Sequence, residues 1–574
     1  MPRLPKPSDQ VILIRKTNGK EHRMQTSISG TLVDPVQQAT FGARLCLSEN
    51  GTIASIIPED SPDPVYILPG FVDAHVHIES SMLTPAAFAR AAVVHGTVAA
   101  VADPHEIANV LGAEGVELML SLAQQTPFVF GFGVPSCVPA TPFETAGAEL
   151  GPDEVTRLLK LPGITHLAEM MNVPGVLGRD PAVLAKLAAA RSLGKPIDGH
   201  APGLTGEPLK AYAAQGITTD HESLTFEEAR EKIKAGIKLQ IRYGSAARQF
   251  ETFIPLLARY PDMCMFCSDD KHPDDLLADH INHIAATAYR KGISVHAILQ
   301  AACVNPVRHY KLPVGLLQVG DPADFMLLED LTTFKPHEVW LRGQCVARDG
   351  QSLLPLGEPC ARNRFDARII QTEALRVPVP GTNVPARVIG VWDGQLVTDS
   401  LAEMLTVSNG QAVSDPARDL IKLVVCNRYA PAQPVVAFVK GFGLTRGAIA
   451  SSVAHDSHHI IAAGATDEAL AVAINEVVMN RGGLAVADNN HKVLASFPLP
   501  LAGLMSLDPA EQVARAYSDC DRLAKILGSR LTAPFMTLSF LALPVIPALK
   551  LTDKGLFDGQ TFQHVPLFKD RATA

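Results

Sequence analysis

Apolar positions come in two textures along the chain. From about residue 26 to 66 they form short runs of strand character. The stretch "ATFGARLCLSENGTIASIIP" breaks at Glu49-Asn50-Gly51, a turn signal between two such runs, and predicts a hairpin. From residue 67 short apolar runs alternate with helical stretches. The runs are "GFVDAHVH", "TVAAVADPHE", "FVFGFGVPS", "THLAEMMN", "PIDGHAPG", "ITTDHES", "IKLQIRYGS" and "MCMFCSDD". Helical patterns separate them, among them "TPAAFARAAVVHG", "PDEVTRLLKL", "PAVLAKLAAARSLG" and "TFEEAREKIKAG". In the last of these, Thr225 and Glu228 are spaced as a capping box. Gly96, Gly194 and Gly236 fall where helix C-caps belong.

Eight runs alternating with helices fit a (β/α)8 barrel or a doubly wound sheet. The polar residues favour the barrel, because in almost every run they gather at the C-terminal end, the face where barrel chemistry sits. After residue 310 strand patterns return in "VGDPADFMLLE" and "EVWLRGQCVARDG". The expected fold is α/β: a TIM-like (β/α)8 barrel over 67–310, a small β-domain built from 1–66 and 311–365, and an additional C-terminal α/β domain over 375–574. The last contains a helix that starts at Thr466 and stops at Gly482 or Gly483.

Composition narrows the class. The 574 residues are 47% hydrophobic and 19% charged, ordinary for a globular protein. A net charge of -9 and the lack of a long basic run argue against nucleic-acid binding. Nine scattered cysteines do not form a disulfide framework, and the polar start "MPRLPKPSDQ" has no signal-like apolar region. Both point to the cytoplasm. The apolar segment "TAPFMTLSFLALPVIPALKL" (532–551) approaches bilayer length, but three prolines break it, so it reads as buried core or a subunit contact rather than a membrane span. A homo-oligomer, dimer or higher, is the expected assembly.

His75 and His77 are two apart on one strand and so share a face at the barrel mouth. Glu169, His200, His221 and either Asp269 or Asp270 end four further runs. Imidazole and carboxylate donors at separate strand ends make a metal site for zinc, manganese or iron. Of the two neighbouring aspartates only one is expected to ligate, because consecutive strand residues point opposite ways. Asp103, His105 and Glu106 follow the second strand as candidate substrate or ligand-supporting residues, with a turn and helix cap as the structural reading. Ser80 and Ser81 are candidate substrate donors. Cys264 and Cys267 read as packing within the eighth run. His455, His458 and His459 form a histidine-rich stretch that is a second metal site, a cap reaching an active site, or structure. Arg308, His309 and Tyr310 are expected between barrel and β-domain.

The strand-end ligand set resembles the amidohydrolase superfamily. "PGFVDAHVHIESSMLTP", "ADPHEIANVLG", "AEMMNVPGV", "DGHAPGLTG", "SDDKHPDDL", "VNPVRHY" and the distal "SVAHDSHHIIAAGATDEAL" and "PLPLAGLMS" resemble the bacterial adenine deaminase family across nearly the whole chain. That resemblance implies a metal-dependent aminohydrolase of purine salvage, converting adenine to hypoxanthine and ammonia. It implies a binuclear divalent centre of manganese or iron, with zinc as the alternative. His75, His77 and Asp269 would hold one ion, His200 and His221 the other, and Glu169 would bridge them. Asp269 is the first candidate to carry the proton from water to the leaving amine.

One departure bears on that proton. Many mononuclear deaminases of the superfamily carry a glutamate three residues after the fifth-strand histidine, whereas His200 is followed by Ala201, Pro202 and Gly203. Glu169, Asp269 or Glu106 must then serve. A cyclic-amide hydrolase of the dihydroorotase or hydantoinase kind is the competing enzyme reading. A non-catalytic purine-binding scaffold is the competing reading from another class.

Overall fold

A computed structural model of the chain describes residues 26–245, 250–358, 360–379 and 385–569. The expected elements over 1–25 and 570–574 lie outside the described residues. Eight parallel strands form the barrel: β1 (Phe71–Val76), β2 (Thr97–Ala102), β3 (Val129–Val134), β4 (Ile164–Met170), β5 (Ile197–Gly199), β6 (Thr219–Asp220), β7 (Lys238–Arg242) and β8 (Cys264–Cys267). They pair in order as β1 to β5 and β6 to β8. The two arcs close through Thr218 N–H donating to Ile197 O at 2.8 Å and through a parallel bridge between Val76 and Asp269. β5 and β6 are only three and two residues long, so those walls of the mouth are made mostly by loops.

The intervening helices end as the glycines require. Gly96, Gly194 and Gly236 adopt φ of +86°, +61° and +87°, which a side chain would strain. Thr225 caps the Phe226–Lys234 helix by accepting from Glu228 N–H. The reciprocal half of the expected capping box is absent. The Glu228 carboxylate instead accepts from Leu224 N–H and Gly203 N–H and pairs with buried Lys232, so it serves the barrel mouth.

Strands on either side of the barrel join one eight-stranded sheet, in which Tyr66–Pro69 pairs with Phe325–Leu328. The hairpin Ala39–Leu47 to Ile53–Pro58 turns through Gly51, φ +79°. The residues expected between barrel and sheet do otherwise. Tyr310 reaches into the barrel to donate to Asp198, His309 contacts Thr218, and Arg308 is exposed.

A second eight-stranded sheet follows residue 385. Its central strand Leu420–Cys426 is buried along its whole length. Ile421, Leu423 and Val425 join the core that runs from the barrel, while Val424 and Cys426 pack under the Asp467–Met479 helix. Strand alternation thus fastens the barrel to one face of this sheet and a helix to the other. Thr466 caps that helix, and Gly482 (φ +123°) follows its end. Among the described residues no helix is long and apolar enough to cross a membrane. The segment 532–551 contains a short helix, Pro534–Phe540, and most of its apolar side chains are buried within its own chain.

Candidate metal centre and substrate pocket

At the mouth of the barrel the strand-end residues turn toward one another. His75 Nε2 lies 3.2 Å from His77 Nε2. Asp269 Oδ1 lies 3.2 Å from His77 Nε2 and 3.7 Å from His75 Nε2. Glu169 stands between the two halves of the set. Its Oε2 is 2.8 Å from His200 Nδ1 and 3.1 Å from His221 Nε2, and its Oε1 is 3.5 Å from His77 Nε2. His75 stacks on His221 with ring centroids 4.1 Å apart.

The donor set fits divalent cations better than it fits hydrogen bonds alone. Imidazole nitrogens outnumber the carboxylate oxygens they face, and His75 and His77 turn their Nε2 atoms to one point. His77 Nδ1–H donates to the Asp103 carbonyl at 3.1 Å, which leaves the lone pair on Nε2 facing the centre. Burial, with His221 and His77 adding to it, lowers the His75 imidazole well below its ordinary value. Burial alone would raise Glu169, but His200 and His221 hold it well below the carboxylate range. Burial likewise opposes ionisation of Asp269, and Arg242, His77 and His221 overcome it. Two ionised carboxylates among neutral-capable imidazoles are the ligands that manganese, iron and zinc share.

Strand alternation is not what separates the two aspartates. β8 ends at Cys267, and Asp269 adopts φ +57°, so strand alternation no longer applies at the pair. Asp269 and Asp270 both line the pocket. Asp269 Oδ2 accepts from Arg242 at 2.5 Å, and Asp270 accepts from Ser80 Oγ at 2.5 Å. Ser80 is therefore a support for Asp270, and Ser81 donates to Ile78 O within its own turn. Neither serine lines the pocket. Cys264 and Cys267 are buried free thiols in β8, and burial pushes Cys264 up to about 12.

After β2 the three candidates divide. Asp103 accepts from His105 Nδ1 at 3.0 Å and its carbonyl orients His77. His105 Nδ1 also lies 3.3 Å from Glu169 Oε1. Glu106 lines the pocket with the metal ligands, its Oε1 3.4 Å from His105 Nε2, and meets His455 Nδ1 with one oxygen and His458 Nε2 with the other. This Glu-His-His group has the composition of a metal site. Its hydrogen bonding excludes that role. His458 Nδ1 accepts from Ala454 N–H at 3.2 Å, so its proton is on Nε2, where it donates to Glu106. Burial opposes the Glu106 charge, and His455, His458 and His105 together hold the carboxylate well below its ordinary range. The histidine-rich stretch is a latch from the C-terminal sheet to the barrel. His459 contacts Asp553, not the pocket.

Sequence reasoning missed three contributions. Arg242 ends β7 and pairs with both Asp269 and Glu222, the residue after His221. Its position at a strand end was the available signal. The second is the roof: Leu396, Phe540, Leu543, Val545 and Ile546 line the pocket from the C-terminal region. The apolar segment expected to suit a subunit contact thus covers the site of its own chain. The third is Asp456, which lines the pocket beside His455.

Comparison with known proteins agrees with this division. Residues 66–346 match the profile of the Amidohydrolase family, and residues 395–563 match the Adenine deaminase C-terminal domain. The adenine deaminase of Salinibacter ruber is 52% identical, over 95% of this chain and 99% of its own length. That of Sulfurovum sp. is 51% identical over 93% and 98%. That of Methanosarcina barkeri is 49% identical over 95% and 100%.

Proposed function

The chain belongs to the adenine deaminase family of amidohydrolases, and from that premise we propose that it hydrolyses adenine to hypoxanthine and ammonia as a step of purine salvage. The observation that carries the reading is the convergence of His75, His77, Glu169, His200, His221 and Asp269 on one centre beneath a roof from the C-terminal domain. His75, His77 and Asp269 would hold one divalent ion and His200 and His221 a second, with Glu169 available to both. Manganese or iron is the resident pair and zinc the alternative; the mixed imidazole and carboxylate donors support all three. Bound divalent ions lower the pKa of coordinated water from about 15.7 toward about 7, which supplies hydroxide at neutral pH.

The protein's own groups do the rest. Asp269 keeps Oδ2 on Arg242 and turns Oδ1 toward His77, the edge from which it takes the proton of water and hands it to the amine. That hand-over makes the leaving group ammonia rather than amide ion. Leu543, Val545 and Ile546 give the flat base an apolar surface and exclude bulk water. The domain division proposed is 1–66 with 311–365, 67–310 and 375–574, supported by the sheet that joins both flanks of the barrel. Free cysteines support a cytoplasmic setting, and the exposed Trp392 and Val397 support self-association into a dimer or higher oligomer.

Manganese-loaded protein is expected to release ammonia and hypoxanthine from adenine in equal amounts. Ring opening of a cyclic amide without action on adenine would replace this reading with the hydantoinase type. Stoichiometric purine binding with no turnover would replace it with a scaffold.

A further inference from the structure

The loop 454–459 enters the pocket from the C-terminal sheet and is tied down at nearly every residue. Glu106 holds His455 and His458. Ser457 Oγ donates to Glu144 at 2.7 Å, and Tyr429 OH donates to the Ser457 carbonyl at 2.5 Å. Arg428 donates to the His458 carbonyl at 3.2 Å. Asp456 is the exception. It is 4% exposed and lines the pocket, yet among the described residues its Oδ2 has no hydrogen-bond partner. Its Oδ1 stands 4.0 Å from His105 Nε2, beyond hydrogen-bond reach.

A buried carboxylate oxygen without a donor costs more than an ordinary unmade hydrogen bond. Burial, with Glu106 nearby, raises Asp456 to about 6, so near neutrality the group is poised to take a donor. The tethered loop fixes Asp456 in the pocket wall, so its carboxylate meets a ligand at little entropic cost on binding. His105 spans the gap between Asp456 and Glu169, so Asp456 stands one imidazole away from the reacting centre. With the six-membered ring's amine at the metal ligands, the imidazole half of a purine extends by about that reach. A free purine base carries an N–H on that half; a 9-substituted purine does not.

We propose that Asp456 accepts the ring N–H of the free base and thereby selects bases over 9-substituted purines. The assignment rests on the purine reading above and adds to it the residue that sets the substrate class. It also gives the C-terminal domain a direct part in recognition.

The test uses metal-loaded full-length protein, with adenine and 9-methyladenine as substrates and hypoxanthine binding by calorimetry as a readout independent of turnover. A site built around one hydrogen bond rejects the analogue lacking it strongly, so wild type is expected to prefer adenine over 9-methyladenine by about 100-fold or more. Asp456→Asn, which keeps the side-chain shape, is expected to lose about 100-fold in adenine kcat/KM and a similar factor in hypoxanthine affinity. Asp456→Ala is expected to narrow the preference to about tenfold or less. Metal content stays at the wild-type value and the thermal midpoint does not fall, since the replaced carboxylate oxygen has no donor to lose. Adenine kcat/KM within about threefold of wild type in both variants overturns the assignment, as does an equal fall for both substrates. Wild-type protein inert toward adenine would instead remove the function reading itself.

Discussion

The pocket has two walls of different origin. The barrel wall is polar, and its donors come from the ends of five strands or the turns after them. The C-terminal wall is mostly apolar, and its polar members arrive on one fixed loop. Both walls carry clusters of histidine and glutamate, yet they differ in chemistry. At His77 the far nitrogen donates to a carbonyl, so the near nitrogen offers a lone pair to a cation. At His458 the far nitrogen accepts a backbone N–H, so the near nitrogen offers a proton to Glu106. Residue type does not decide whether a histidine is a ligand. The partner of its second nitrogen does.

The largest effect belongs to the barrel wall. His77→Asn is expected to lower kcat by about four orders of magnitude and to reduce bound metal, measured by elemental analysis beside the ammonia assay. His458→Asn should leave metal content unchanged. Equal metal loss in the two variants would erase the contrast between the walls. Next comes the support beneath the ligands. Buried Lys232 donates to Asp220, Glu228 and the Ala201 carbonyl, and Asp220 and Ala201 adjoin His221 and His200. Lys232→Met leaves two buried carboxylates without their cation, so a loss of about 3–5 kcal/mol in stability is expected by chemical denaturation. Metal affinity at the His200 and His221 side should fall by about 10–100-fold.

The two walls also differ in how much the sequence disclosed. All eight barrel strands were legible because apolar runs alternate with helices and polar residues mark the strand ends. The ligands were legible because each strand end is a local position. Asp269 and Asp270 were not separable, since a left-handed residue beyond β8 leaves no trace in a strand pattern. The roof was not legible for a further reason. An apolar stretch such as 540–546 tells that it will be buried, but not against what, and Leu396 joins it from far away in the chain. The latch fell between these cases. Its histidines stood out in an apolar setting, but their partner Glu106 is about 350 residues away, and only tertiary packing brings them together.

The latch gives a pH signature smaller than the ligand and support effects. Burial by itself lowers the His455 imidazole, but Glu106, Asp270 and Asp456 raise it to about 9, against neighbouring His458 and His272. The folded state therefore holds a proton that the unfolded chain gives up near its ordinary value of about 6.5. The stabilisation is complete below that pH and is lost as pH rises through about 9. The slope contributed is at most about 1.4 kcal/mol per pH unit. Thermal midpoints of wild type are expected to fall between pH 6.5 and 9 more steeply than those of His455→Asn. Parallel profiles would show that the latch does not carry this proton.

The smallest effect is expected at the roof. Phe540 stacks on His455 with ring centroids 4.5 Å apart and an interplanar angle of 17°, so one ring both seals the pocket and backs the latch. Lys550 fixes its position by donating to the Phe540 carbonyl at 3.0 Å and the Leu396 carbonyl at 2.8 Å. Truncation to alanine removes apolar surface that substrate and transition state meet alike, because the ring touches no reacting atom. Uniform binding of that kind appears in KM and not in kcat. Phe540→Ala is expected to raise KM by about three- to tenfold with kcat within about twofold of wild type, and to leave metal content unchanged. A fall in kcat of about a hundredfold with KM unmoved would mean that the roof acts on the chemistry itself, and the contrast between a reacting wall and a covering wall would no longer hold.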